Sequence, residues 1–278
     1  MTMSGAARCL PGAVLLGVLV LVPSLMSQVA PLPDPAGFFG AVRMNLERSR
    51  RDARGFAYTE RRTQLRMNPF GRLGSGATLA YRVTPSVDGV WAERQLIERD
   101  RVPVTDGEVT KRESRRPGSR TDRQSPYDDA LSVLEFMIVR REQVQGRSMI
   151  VVRFTPRPGV TARTREGRMA KSFEGEVWVD ERAEEAVRVE GTAIESLSYG
   201  FGLVARLSKG TTVTATREEV LRGVWQPTTL RINGDGRALV FRRLRIEHAL
   251  EWFDYRHVPG VEAVPQGPDR DSVAPLAP

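Results

Sequence analysis

Few side chains here have the type and spacing to do chemistry. The sequence holds two histidines, His248 and His257, and one cysteine, Cys9. His248 stands between Ile246 and Leu250 on the apolar face of a strand-like run. An imidazole there could act as a general base beside an orienting carboxylate, or touch a ligand headgroup. A hydrogen-bonded packing role is the plainer reading of a lone histidine on such a face. Asp254 and His257 could be two metal ligands, but no third donor stands at close spacing. Glu181, Glu184 and Glu185 form an acidic turn cluster, which solvation explains more simply than paired acid–base work. After Cys9 the chain has no thiol, so a disulfide, a thiolate nucleophile and a cysteine-based metal site are excluded there. Gly71–Gly76 has the wrong spacing for a phosphate loop and no lysine, and no G-x-S-x-G elbow occurs. The balance favours binding over catalysis, with no enzyme activity, cofactor or metal expected. A hydrolase using His248 is the competing class.

The elements that must position these residues begin after an export signal. Arg8 is the only charge in residues 1–30, Ala13–Val22 is apolar, and Pro23-Ser24 breaks the run before small residues. That is the layout of a secretory signal peptide, and the run is short of the roughly 20 residues that span a bilayer. A periplasmic location follows, with an uncleaved membrane anchor as the alternative. The formal charge of +8 comes almost wholly from arginine, interleaved with acids. It reads as a solvated surface, and nucleic acid is not an expected partner.

Asp34-Pro35 is a helix start, and Phe38, Phe39, Val42 and Leu46 follow at helical spacing. Phe56–Met67 is a polar strand, read as an edge strand. Asn68–Gly76 reads as a turn-rich loop, and Thr78–Val83 with Val90–Glu98 as a hairpin. Residues 103–125 carry many arginines and almost no apolar side chain, and so read as a mobile loop. Tyr127–Leu134 is a short helix, Phe136–Val144 and Ser148–Thr155 pair, and Pro156–Lys171 is a connection. Phe173–Asp180, FEGEVWVD, alternates strictly: Phe173, Gly175, Val177 and Val179 face one way, Glu174, Glu176, Trp178 and Asp180 the other. Val189 continues the apolar face. Leu203–Ala215 reads as one long strand, and Asn233-Gly234-Asp235-Gly236 as the strongest hairpin signal. The final strand puts Ile246, His248, Leu250 and Trp252 on one face; residues 259–278 are a proline-rich disordered tail. The expected class is α+β: a curved antiparallel sheet, an unclosed β-barrel, with an N-terminal helix and short helices over its apolar face. One domain is expected over residues 31–258, as a monomer.

The C-terminal half resembles the outer-membrane lipoprotein-sorting family, the periplasmic carriers of the LolA and LolB type and their relatives. The residues that carry the resemblance are Gly175, Trp178, Asp180, Arg188, Trp225, Pro227, Asp254, Tyr255 and Arg256, with a looser fit over Phe38–Arg62. The resemblance implies an unclosed antiparallel barrel, helices across its mouth, and an apolar cavity for the acyl chains of lipoproteins or related lipids. Phe38, Phe39, Val42, Val177, Val189, Leu207, Ile246, His248, Leu250 and Trp252 are the candidate lining residues. The expected partner is a lipid or an acylated lipoprotein, with membrane-surface proteins as further candidates. A structural or sensory periplasmic module with a filled core is the alternative to a carrier.

Overall fold

Asp34 caps the first helix as its sequence predicts: its carboxylate accepts from the Gly37 N–H at 2.9 Å, and Pro35 takes the first helical position. The structure is a computed structural model. It describes residues 31–261 apart from 68–72, 88–90, 105–109, 115–125, 201–203 and 239–241. The signal segment 1–30 and the tail from 262 lie outside the described residues. In chain order the elements are α1 (Pro35–Asp52), β1 (Phe56–Met67), β2 (Leu73–Pro85), β3 (Trp91–Arg99), β4 (Val102–Pro103) and β5 (Thr110–Ser114). Then come α2 (Pro126–Ser132), β6 (Leu134–Val144), β7 (Arg147–Pro156), α3 (Arg165–Lys171), β8 (Phe173–Asp180) and β9 (Glu185–Ala193). Last are β10 (Leu197–Gly200), β11 (Val204–Leu207), β12 (Thr212–Leu221), β13 (Val224–Ala238) and β14 (Arg242–His257).

The strands form one curved, unclosed antiparallel sheet in the order β4-β3-β2-β1-β14-β13-β12-β9-β8-β7-β6. The α+β class is therefore as the alternating patterns indicate. The last strand lies beside the first, so the two ends of the fold meet in the middle of the sheet.

Several local expectations differ from the structure. β1 is no edge strand: it pairs with β14 on one side and β2 on the other. Glu60 and Arg61 are held in ion pairs with Arg94, Glu98 and Glu251, which helps a central strand to carry them. Leu73–Gly76 belong to β2 rather than to a loop. Within the arginine-rich segment, Thr110–Ser114 form β5 on β3; residues 105–109 and 115–125 lie outside the described residues. The connection Pro156–Lys171 contains α3, which starts at a Thr164 cap accepting from the Gly167 N–H at 3.0 Å. The long strand expected over Leu203–Ala215 is interrupted at Ser208–Thr211, where the chain turns between β11 and β12. Asn233–Gly236 is not a hairpin: β13 runs straight through it, with Asn233 opposite Glu247 and Gly236 opposite Leu244. Gly234 serves close approach, since a Cβ on it would collide with the Thr211 side chain.

The helices cover the β6–β9 end of one sheet face. Phe38 packs with Ile150, Val152 and Val179, joined by Phe39, Val42, Phe136, Ile138 and Val177. Beside it, Val133, Leu134 and Phe154 gather Ala170, Phe173, Val177 and Val189 under α2 and α3. The α2–α3 pair is tied by Asp129, only 1% exposed, whose carboxylate accepts from the Arg163 N–H (3.0 Å), the Thr164 N–H (2.7 Å) and the Thr164 hydroxyl (2.7 Å).

Candidate ligand-binding face

Residues opposite one another in a ladder share a sheet face, so the pairing register traces side-chain rows across the strands. One row runs Ile138, Val152, Val177, Val189, Ala215, Leu230, Leu250, and then meets Arg62 and Leu79. The next row runs Phe136, Phe154, Gly175, Gly191, Val213, Ile232 and ends at His248. Both lie on the face that α1, α2 and α3 cover at one end. There the side chains form the two packed clusters. Farther along, Val213, Ala215, Leu230, Ile232 and Leu250 are half-buried.

The ten sequence-derived lining residues fall into groups along this face. Phe38, Phe39, Val42 and Val177 meet in the α1 cluster. Val189 belongs to the neighbouring cluster, which shares Val177. His248, Leu250 and Trp252 sit on β14. Leu207 lies in β11 and Ile246 in β14, opposite Leu197 and Gly234 respectively; their side chains lie outside the described residues.

At its β1–β3 end the face becomes polar. Glu60 lies opposite Trp252 on one side and Tyr81 on the other. Its carboxylate is bonded by the Arg94 guanidinium and accepts from Trp252 Nε1 at 3.4 Å. Arg62 and Arg94 flank the Tyr81 ring, at 4.7 and 4.9 Å from its centroid. Arg62 Nε is 3.7 Å from Glu60 Oε1, too long for a hydrogen bond. The spacing Glu60-x-Arg62 was the available signal: in a strand it places both charges on one face, next to the apolar row. Read as an edge strand, that signal was lost.

Among the described residues no hydrogen bond joins a histidine to a side-chain carboxylate. His248 is hydrogen-bonded to the main chain of Thr63, and burial, with Arg62 nearby, pushes its pKa below the ordinary histidine value. His257 packs edge-on against Phe56, ring centroids 5.6 Å apart. Among the described residues no three potential metal ligands come together. The acidic turn is not simply solvated. The Glu185 side chain is 4% exposed, bonds Arg217 at 2.9 Å and accepts from the Ser49 hydroxyl at 3.3 Å, while Glu181 bonds Arg141 and Ser148. Its position under the C-terminal end of α1 explains why it is buried. Asn45 donates to the Ala183 and Glu184 carbonyls, and Gln226 donates to that of Ser49. The turn is thus the latch that fixes α1 to the sheet.

No protein-family model and no curated protein matches the sequence. The fold is similar to several solved structures. One is an outer membrane lipoprotein-sorting protein domain from Vibrio parahaemolyticus: 14% identity over 81% of this chain and 95% of that one, TM-score 0.35. Another is a LolA superfamily protein from Nitrosomonas europaea: 14% identity, 78% and 94% covered, TM-score 0.33. A third is the Pseudomonas aeruginosa MucA/MucB complex: 10% identity, 77% and 93% covered, TM-score 0.23. The first two carry the family description that the C-terminal motifs resemble. No helix among the described residues is long and apolar enough to cross a membrane.

Proposed function

We propose that this chain is an exported, non-enzymatic carrier that holds a lipid, or the acyl chains of a lipoprotein, against the inner face of its sheet. The observation that supports this reading is the change along one pair of side-chain rows. From β6 to β9 their side chains, some buried and some half-buried, belong to the clusters packed under the helices; from β12 to β14 the same rows stay apolar and half-buried and belong to neither cluster. An acyl chain laid over Ala215, Leu230, Ile232 and Leu250 would be shielded from water along its length. On the order of 200 Å² of shielded apolar surface contributes roughly 5 kcal/mol at about 25 cal/mol per Å². Burial disfavours the charged form of the His248 imidazole, which suits an apolar guest.

The test is native mass spectrometry of protein purified from periplasm, together with uptake of a fluorescent fatty acid. A co-purifying lipid and saturable uptake are expected. Leu230→Asp should reduce uptake at least tenfold, because it places a charge in the middle of the row. Lipid-free protein with no uptake would favour the structural or sensory module, whose helices merely complete a core.

A further inference from the structure

The apolar row is interrupted by a charge between Leu250 and Leu79. Leu250 is paired with Arg62, and Arg62 with Leu79, so a guanidinium occupies the position where the row would otherwise stay aliphatic. That placement has a desolvation cost, because the Arg62 side chain is only 30% exposed. Its neighbour does not fully offset it. Glu60 is already bonded by Arg94 and Trp252, and the remaining Arg62–Glu60 distance is 3.7 Å. Arg62 Nε is buried and makes no hydrogen bond among the described residues, as is also true of Arg61 Nε and Arg94 Nε; what sets Arg62 apart is its place at the end of the Leu250–Leu230–Ala215 stretch. What holds the guanidinium is chiefly the Tyr81 face, which orients it without using its N–H donors. Among the described residues the carboxylate that Arg62 approaches is Glu60, which Arg94 also pairs with.

We propose that Arg62 is an anion-recognition residue that binds the phosphate headgroup of a lipid whose acyl chain lies along Leu250, Leu230 and Ala215. The inference rests on the carrier reading above and specifies its ligand class. The geometry suits an amphiphile: apolar contact along the row, then a positive, partly dehydrated donor at its end. A guanidinium offers paired N–H donors to phosphate oxygens, and in a half-buried site such charge-assisted bonds are worth more than at the surface. Arg61, the next residue, points to the opposite face, where it meets Glu98, Glu251 and the Phe253 ring. It is the natural control.

The experiment compares dodecyl phosphate with dodecanol, at concentrations below micelle formation, by displacement of a bound fluorescent fatty alcohol from the full chain. Dodecyl phosphate should bind about 10–100-fold more tightly, the range expected for a charge-assisted contact. Arg62→Gln should cut that preference to about twofold while leaving dodecanol binding intact; Arg62→Lys should retain part of it; Arg61→Gln should leave it unchanged. Millimolar inorganic phosphate should not displace dodecyl phosphate. Equal binding of the two amphiphiles by the unaltered protein, or loss of preference in Arg61→Gln as much as in Arg62→Gln, would overturn the headgroup role and leave the carrier reading standing. Displacement by inorganic phosphate would reassign the site to free phosphate and overturn the lipid commitment. If neither amphiphile binds, both readings fall.

Discussion

The two ends of one sheet face use the same alternation of side chains for different ends. From β6 to β9, α1 and the α2–α3 pair lie on the rows, and Val152 and Phe154 in them are 3% and 6% exposed. From β12 to β14 and on to β1, the rows remain half-buried and finish at Arg62 and His248. The first end has ordinary core packing, aromatic and aliphatic side chains together. The second keeps apolar surface and places charge at its margin, an arrangement that costs stability unless it binds something. The latch between α1 and the Glu185 turn marks the boundary: Arg217 joins Glu185 to the start of β13 through the Trp225 carbonyl, at 3.2 Å.

Matched truncations at the two ends give the largest expected contrast. Ile150→Ala should cost about 2–5 kcal/mol, since a fully buried aliphatic side chain leaves a cavity. Leu230→Ala should cost about 1 kcal/mol, because half its surface benefit is already absent. Urea denaturation of both variants measures this. Equal losses would mean that the two ends are packed alike, and the carrier reading would lose its main support.

What the sequence made legible follows the same divide. Strict alternation in Phe173–Asp180 located β8 to the residue, although the face of Glu176, Trp178 and Asp180 is itself partly or wholly buried. Asp34-Pro35 located the start of α1 because capping is local chemistry. The failures came where a long-range contact overrides a local signal. Asn233–Gly236 has turn composition, yet its Gly234 is there to admit Thr211 from the β11–β12 turn, a contact no local window can contain. Glu185 looks like a surface acid until Ser49 and Arg217 arrive from elsewhere in the chain. Several motif residues behind the family resemblance likewise have structural duties. Asp180 bonds Arg147 at 2.7 Å and accepts from the turn amides of Arg182 and Ala183. Tyr255 donates its hydroxyl to the Pro227 carbonyl at 2.6 Å. Such motifs report the architecture; the charge at the end of the row needed the register to be seen.

A second way to sharpen the comparison is acid. Asp129, in the α2–α3 layer, is subject to burial that raises its pKa, but bonds from Thr164 and Arg163 outweigh it and hold the carboxyl below its ordinary value of 3.8. The sign follows from linkage: a depressed folded-state pKa gives stability that is complete above the unfolded value and is lost as pH falls through the folded one. The covered end should therefore loosen only below about pH 4. Asp129→Ala should cost about 1–3 kcal/mol at neutral pH, the penalty for stranding buried donors, and should remove this acid transition. Hydrogen exchange at Arg163 and Thr164 reads it directly. Unchanged protection at those amides in Asp129→Ala would show that the tie is not what holds the layer.

The smallest effect belongs to the other end and to a milder pH. His248 is held below its ordinary value of 6.5 by burial; the bond to the Thr63 main chain is the next contribution and opposes it, the positive charge of Arg62 adds a smaller depression, and Glu60 opposes least. For a base the depressed pKa means that the unfolded chain takes up a proton before the folded one does. Stability is then constant above about pH 6.5 and declines as the pH falls from there towards the folded-state pKa. His248→Leu, which keeps an apolar side chain in the row beside Ile232, should flatten the stability profile just below about pH 6.5 and leave the acid transition of Asp129 in place. Arg62→Gln should raise the His248 pKa, because it removes the like charge, and two-dimensional NMR of the imidazole would follow it. A bound phosphate amphiphile should raise it in the same direction by neutralising Arg62. If the Arg62→Gln substitution leaves the His248 titration where it was, the guanidinium does not govern that end of the face, and the polar margin has to be reassigned to Glu60 and Arg94.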